Sequence, residues 1–222
     1  MGSVGRIFKD DFENGYTPWS GTYVDSGATL EVSSARAIKG VYSSKSVCGY
    51  GHPNAYVYKT FTPIDVVHAR AYVYVESISP VIAYATLLSL SSYWWNLAAI
   101  GFGYSAGVRY IGTMWRDAEG LHGVLSPDVY PVGSWHCLEV MCKYDAVNGE
   151  IRSWFDGKEL THQTGLDTTS PAQVDRVWAG PSYNYFESGG ELTVYVDLVE
   201  LADRYIGLFK PLTLKMNPHA AL

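Results

Sequence analysis

Cysteine is scarce in this chain, and the three present (Cys48, Cys137 and Cys142) cannot form a closed set of disulfides. Cys137 and Cys142 lie five apart on one expected strand and so face opposite ways, which prevents a bridge between them. They read as small buried apolar side chains. No Cys-x-x-Cys spacing exists, and the six histidines (His52, His68, His122, His136, His162 and His219) are scattered without metal-ligand spacing. No Gly-x-Ser-x-Gly elbow announces a serine nucleophile, although a Ser-His-Asp triad assembled from distant residues stays open.

Charge is also sparse, at 17% of residues, and the balance of 16 Lys and Arg against 22 Asp and Glu gives a net charge of −6. No basic run interrupts it. Nucleic acid is excluded as a partner, because phosphate backbones are bound by clustered cations that displace counterions. No apolar run of about 20 residues is present to span a bilayer. Met1-Gly2-Ser3-Val4-Gly5-Arg6 lacks both a secretory h-region and the Ser or Thr of a myristoylation motif, Arg6 standing in that place. The expected place of action is a virion or an extracellular surface reached without a signal peptide in this chain.

What is abundant is aromatic and small: 18 Tyr, 7 Trp and 22 Gly, with 47% hydrophobic residues over 222 positions. This describes one β-rich core. Period-two runs punctuated by Gly, Pro, Asn and Ser recur near 5–13, 27–34, 41–48, 54–61, 66–77, 81–91, 96–104, 107–115, 134–144, 150–156, 158–162, 173–180 and 191–204. No amphipathic helix exceeds about two turns. The strongest local signal is the run from Gly133 through Val140, joined at Asn148-Gly149 to Ile151–Phe155, which turns again at Asp156-Gly157. Both dipeptides suit a type I′ turn, whose central residues need φ > 0. A dozen or so antiparallel strands predict an all-β, two-sheet jelly-roll sandwich.

The alternation assigns faces. Ala69, Ala71, Val73 and Val75 point to the core, leaving His68, Arg70, Tyr72, Tyr74 and Glu76 outside. Leu138 and Val140 point in against Glu139 and Met141, and Ile151, Ser153 and Phe155 point in against Glu150, Arg152 and Trp154. Arg176 and Trp178 alternate with Val177 and Ala179. If these strands share a sheet, its outer face carries Arg70, Tyr72, Tyr74, Glu139, Arg152, Trp154, Arg176 and Trp178, a platform for sugar rings and hydroxyls. Cross-strand pairing, as between Glu139 and Arg152, is the plainer use of the same residues.

The order of Phe8-Lys9-Asp10-Asp11-Phe12-Glu13-Asn14-Gly15 before Trp19, Ala37-Ile38-Lys39-Gly40-Val41-Tyr42-Ser43, Trp154-Phe155-Asp156-Gly157 and Val194-Tyr195-Val196-Asp197-Leu198-Val199 resembles the concanavalin A-like lectin/glucanase superfamily, in its laminin G-like and carbohydrate-binding branches. The resemblance covers roughly 5–205. It implies a structural calcium held by Glu13, Asp197 and the carbonyl of Lys39 or Gly40, with Asp11 as a possible extra ligand; hard oxygens suit that ion. The Glu-x-Asp-x-x-Glu strand of the fold's glucanases is absent. Its alginate-type lyases are echoed only by Ala179-Gly180-Pro181-Ser182-Tyr183-Asn184-Tyr185, with Tyr183 at the catalytic tyrosine's place and no Gln-x-His segment.

These readings converge on a non-catalytic, lectin-like adhesion or decoration module of a larger assembly, set on a phage or virus particle, with polysaccharide lyase or glycoside hydrolase as the alternative. The domain spans 1–205. The apolar, mildly basic segment 206–222 either folds over its own sandwich or acts as an arm that docks on a neighbouring subunit. Expected partners are a glycan or neighbouring protein subunits.

Overall fold

The computed structural model describes residues 5–51, 53–78, 82–186 and 190–209. Among these residues fifteen strands form two antiparallel sheets packed face to face. The first sheet runs β13 (Lys158–Leu166), β12 (Gly149–Phe155), β11 (Trp135–Lys143), β6 (Val66–Ile78), β15 (Leu192–Ala202), β4 (Ser43–Cys48) and β3 (Ala28–Ser33), with β1 (Arg6–Asp10) also paired to β15. The second runs β10 (Gly120–Val129), β9 (Val108–Asp117), β8 (Asn96–Ser105), β7 (Ile82–Ser91), β14 (Arg176–Phe186), β5 (Ala55–Thr60) and β2 (Gly21–Val24). The predicted all-β jelly-roll sandwich is the observed fold.

The inward residues follow the alternation. Ala69, Ala71, Val73, Val75, Leu138, Val140, Ile151 and Phe155 meet Leu88, Leu90, Ile100, Val57 and Val177 of the other sheet in one core. Burying each Val, Leu, Ile or Phe side chain contributes about 1.5–3 kcal/mol against exposure. Cys142 belongs to this core and Cys137 to a small cluster on the opposite face, so the two thiols do point apart. All three cysteines are free, and burial pushes each thiol up to about 12.

The two turns differ. Asp156 and Gly157 both have positive φ (50° and 79°), as a type I′ turn requires. Asn148 and Gly149 do not adopt positive φ. The β11–β12 connection is instead a longer loop in which Asp145 Oδ1 accepts the amides of Val147 and Asn148. Gly149 lies in β12, where a Cβ would come within 2.5 Å of the Leu166 carbonyl oxygen. Its glycine serves close approach, not turning. β2 and β10 were not expected from the alternation: β2 has four residues at a sheet edge, and β10 carries Gly, Ser and Pro along an edge with a register shift.

Candidate functional site

The expected sugar platform divides between the two sheets. β6, β11 and β12 are neighbours, so Arg70, Tyr72, Tyr74, Glu139, Arg152 and Trp154 do share one outer face. Arg176 and Trp178 belong to β14, across the core. The alternation sets which side of a strand a residue faces and carries no information on which sheet holds the strand.

The outer face of the first sheet is covered by its own chain. After β15, residues 203–209 run back as a strap: the amides of Ile206 and Gly207 donate to Glu139 Oε1 and Oε2 at 2.8 and 2.9 Å. Arg70 donates to the Gly207 carbonyl and to Glu200 Oε2, both at 2.9 Å, and the Phe209 amide donates to the Tyr72 hydroxyl at 2.8 Å. Trp154 lies against Tyr205 and stacks on His68, which also meets Glu139 at 3.1 Å. Arg70, Tyr72, Glu139 and Trp154 are buried in consequence. Tyr74 holds the Arg36 guanidinium over its ring at 4.4 Å, and Arg152 pairs with Glu150 and Glu159. Of the two fates for the C-terminal segment, folding over its own sandwich holds as far as Phe209; residues 210–222 lie outside the described residues.

The loop 36–42 gathers the residues expected to hold calcium. Glu13 Oε1 accepts the amides of Val41 and Tyr42 at 2.8 and 2.7 Å. Asp197 Oδ2 accepts those of Ile38 and Lys39, and its Oδ1 accepts that of Leu198. The Lys39 ammonium pairs with Asp11 at 2.8 Å. As placed, these groups do not fit an ion: Asp197 and Glu13 Oε1 give their lone pairs to amide hydrogens, and Lys39 already supplies positive charge beside Asp11. Among the described residues no group of three or more His, Cys, Asp or Glu could hold a metal. Burial pushes the Asp197 carboxyl up to about 6, against the pull of its amide donors.

The outer face of the second sheet is open. A cavity of about 500 Å³ is lined by Tyr23, Tyr56, Tyr58, Trp178, Arg116 and Arg176 among others. Tyr23, Tyr56 and Trp178 stack in series, with centroids 5.2 and 5.0 Å apart. The β7–β8 tip, Tyr93-Trp94-Trp95, stands at one end of this trough and is held from both sides. Arg176 lies 5.0 Å from the Tyr93 ring and Arg116 lies 4.4 Å from that of Trp95. Trp94 is 76% exposed. On β7 and β14, Ser182 Oγ bridges Thr86 and Ser89 at 2.9 and 3.0 Å. A second cavity of about 430 Å³ continues across Gly103, Gly112, Gly123 and Leu125, sharing Met114, Leu121 and Tyr183 with the first. A Cβ at Gly103 would stand 2.7 Å from Leu125 Cδ2, so the glycine keeps the depression open.

Tyr183 is 40% exposed where the cavities meet, and its ring stacks on that of Tyr84 at 5.0 Å. Burial, then the Tyr183 hydroxyl, raises the Tyr84 phenol. Of the eight expected ligand residues the trough contains Arg176 and Trp178. The others that line it were legible as an unused signal, the tandem aromatics Tyr93-Trp94-Trp95 between two strands and the Tyr56/Tyr58 alternation about Val57.

No family model matches the chain, and no curated protein matches it. Solved structures do. The cellulose-induced protein Cip1 is similar at 21% identity and a TM-score of 0.66, over 91% of this chain and 100% of that one. An endo-β-1,4-glucuronan lyase from the fungus Trichoderma reesei is similar at 16% identity and a TM-score of 0.68, over 90% and 96%. A structure of botulinum neurotoxin type C, whose cell entry depends on interaction with two ganglioside molecules, is similar at 7% identity and a TM-score of 0.58, over 91% of this chain and 48% of that one. The fold is thus that of the concanavalin A-like jelly rolls.

The expectation that the chain is not an enzyme is overturned: a lyase shares nearly its whole fold. The two-sheet jelly-roll architecture holds. Among the described residues no helix is long and apolar enough to cross a membrane.

Proposed function

We propose that the trough on the second sheet binds a polysaccharide chain, and that the polymer is acidic. One observation carries this: the stacked series Tyr23, Tyr56 and Trp178 runs beside the guanidiniums of Arg116 and Arg176 in one open cavity. Aromatic faces take the C–H sides of sugar rings, and guanidinium groups pair with carboxylates; Arg116 is the guanidinium offered here, because Arg176 already holds Asp175 through Nε and Nη2 at 2.8 and 3.2 Å. Burial raises the Tyr56 phenol. The test is calorimetric titration with polyglucuronate, polymannuronate and an uncharged β-glucan. Binding of the polyuronates that weakens with salt supports the reading, and preference for the neutral polymer sinks its acidic part.

Cleavage by β-elimination is the second reading, favoured by the exposure of Tyr183 over the shared floor of the two cavities. An elimination needs one group to take the proton beside the uronate carboxyl and one to protonate the leaving oxygen. Tyr183 is placed for such a transfer, with Tyr84 against it. Ultraviolet absorbance from unsaturated uronate ends, present in the parent and lost in Tyr183→Phe, would support it; a flat trace with a polymer that binds would remove it.

Polymers of this kind are met outside cells, and an extracellular surface is the proposed place of action. The phage or virus setting and the assembly role of 206–222 have no support from the fold or its neighbours.

A further inference from the structure

Away from the trough, at the start of β11, three side chains stand in an order that neither cavity uses. Ser134 Oγ lies 2.7 Å from His136 Nε2, and His136 Nδ1 lies 2.7 Å from Asp156 Oδ2. An ionised carboxylate only accepts, so the ring proton sits on Nδ1. Nε2 is then the acceptor, and the serine hydroxyl donates to it. We propose that Ser134, His136 and Asp156 form a hydrolytic triad acting on exposed ester bonds, with Ser134 as nucleophile.

The surroundings fix this arrangement. Asp156 occupies the first central position of the β12–β13 turn with φ 50°, donates its amide to the Cys137 carbonyl and accepts the Cys137 amide on Oδ1, both at 2.8 Å. Its second oxygen is thereby aimed at the imidazole. The His136 ring stacks on Phe155 at 4.9 Å and 21°, which sets its plane. Burial works against ionisation of Asp156, and the His136 ring and Cys137 amide outweigh it, holding the carboxyl below its ordinary value. The roles are those of the serine-hydrolase constellation, recognised by geometry and not by order in sequence. The His136 side chain is 14% exposed and Ser134 is exposed. The accessible substrates are therefore O-acyl esters presented on a surface, such as acyl groups carried by a polymer.

The chemistry balances with water alone. Ser134 Oγ bonds to the ester carbonyl carbon while its proton passes to His136 Nε2. Collapse of the tetrahedral intermediate breaks the C–O bond, and the leaving alkoxide takes that proton. Water then adds to the acyl-serine, giving its proton to Nε2, and collapse returns the proton to Ser134 Oγ and releases the acid.

The experiment treats the full chain with a fluorophosphonate and maps the adduct by peptide mass spectrometry, alongside hydrolysis of p-nitrophenyl acetate. The expected result is an adduct on Ser134, and ester turnover at least about tenfold faster than in Ser134→Ala or His136→Gln. Asp156→Asn is the control for folding, because Asn tolerates the left-handed conformation that Asp156 holds. It should keep the melting temperature within a few degrees while slowing both reactions, since an amide in place of Oδ2 selects the wrong imidazole tautomer. No adduct on Ser134, or turnover that is equal in parent and variants, overturns the proposal and leaves the three as a strut of the hairpin.

Discussion

Trp178 and Asp197 are both nearly inaccessible and do opposite work. Trp178 lines the trough and stacks on Tyr56. Trp178→Ala should weaken polyuronate binding by about tenfold or more, the scale of a lost aromatic anchor. Trp154→Ala and Arg152→Ala should leave that binding unchanged, since both lie on the other sheet; titration of the three variants separates the faces. Asp197 is structural. Its folded-state value of about 6 lies above the ordinary 3.8, so between these values the folded chain holds a proton that the unfolded chain has lost. The contribution of this group to stability is full below about pH 4 and is lost as pH rises through 6. Urea unfolding at pH 4, 5, 6 and 7 should show that parent stability falls across this window relative to Asp197→Asn. Parallel curves would mean that the carboxyl titrates normally.

Among elements, the strap decides the most. β15 is buried along its whole length, with the core on one side and the strap and the 36–42 loop on the other. Glu139 is 1% exposed and accepts two strap amides. Glu139→Ala should cost about 2–4 kcal/mol, because it strands two donors and removes the partner of His68. A chain ending at Ala202 should likewise melt lower, with Cys137 opened to a thiol reagent, while its polyuronate affinity stays that of the parent. Equal affinity assigns the strap to stability; lost affinity would tie it to the trough. The turns make the same point about context: Asp156-Gly157 obeys its local signal, and Asn148-Gly149 gives way to the approach of Leu166 and Thr168.

Across the whole molecule, one sandwich presents one covered face and one open face, and the neighbours in structure include a lyase and a ganglioside-linked toxin. A jelly roll hosts many activities, so the proposed function rests on the residues of the open face and not on the fold. The loop 36–42 ties β1, β4 and β15 together through amide-to-carboxylate bonds and the Lys39–Asp11 pair. A chelator should leave the melting temperature unchanged, and added calcium should not raise it. A calcium-dependent rise would assign that loop to the ion.

Local sequence pattern sets the architecture. Strand alternation and turn residues act over a few positions, so thirteen of the fifteen strands, the inward residues of β6, β11 and β12, and the divergence of Cys137 and Cys142 were legible from local pattern. Edge strands β2 and β10 were not, because a short or Gly- and Pro-bearing edge is held by its neighbour's hydrogen bonds and needs no pattern of its own. Which outer face stays open was decided only in three dimensions. Tyr74 and Trp178 read alike as outward aromatics, and pairing between strands far apart in sequence placed one behind the Arg36 stack and the other in the trough. The strap likewise turned Arg70 and Glu139 from apparent ligands into buried supports. Period-two alternation tells in from out; long-range pairing and chain return decide which outside remains open to a partner.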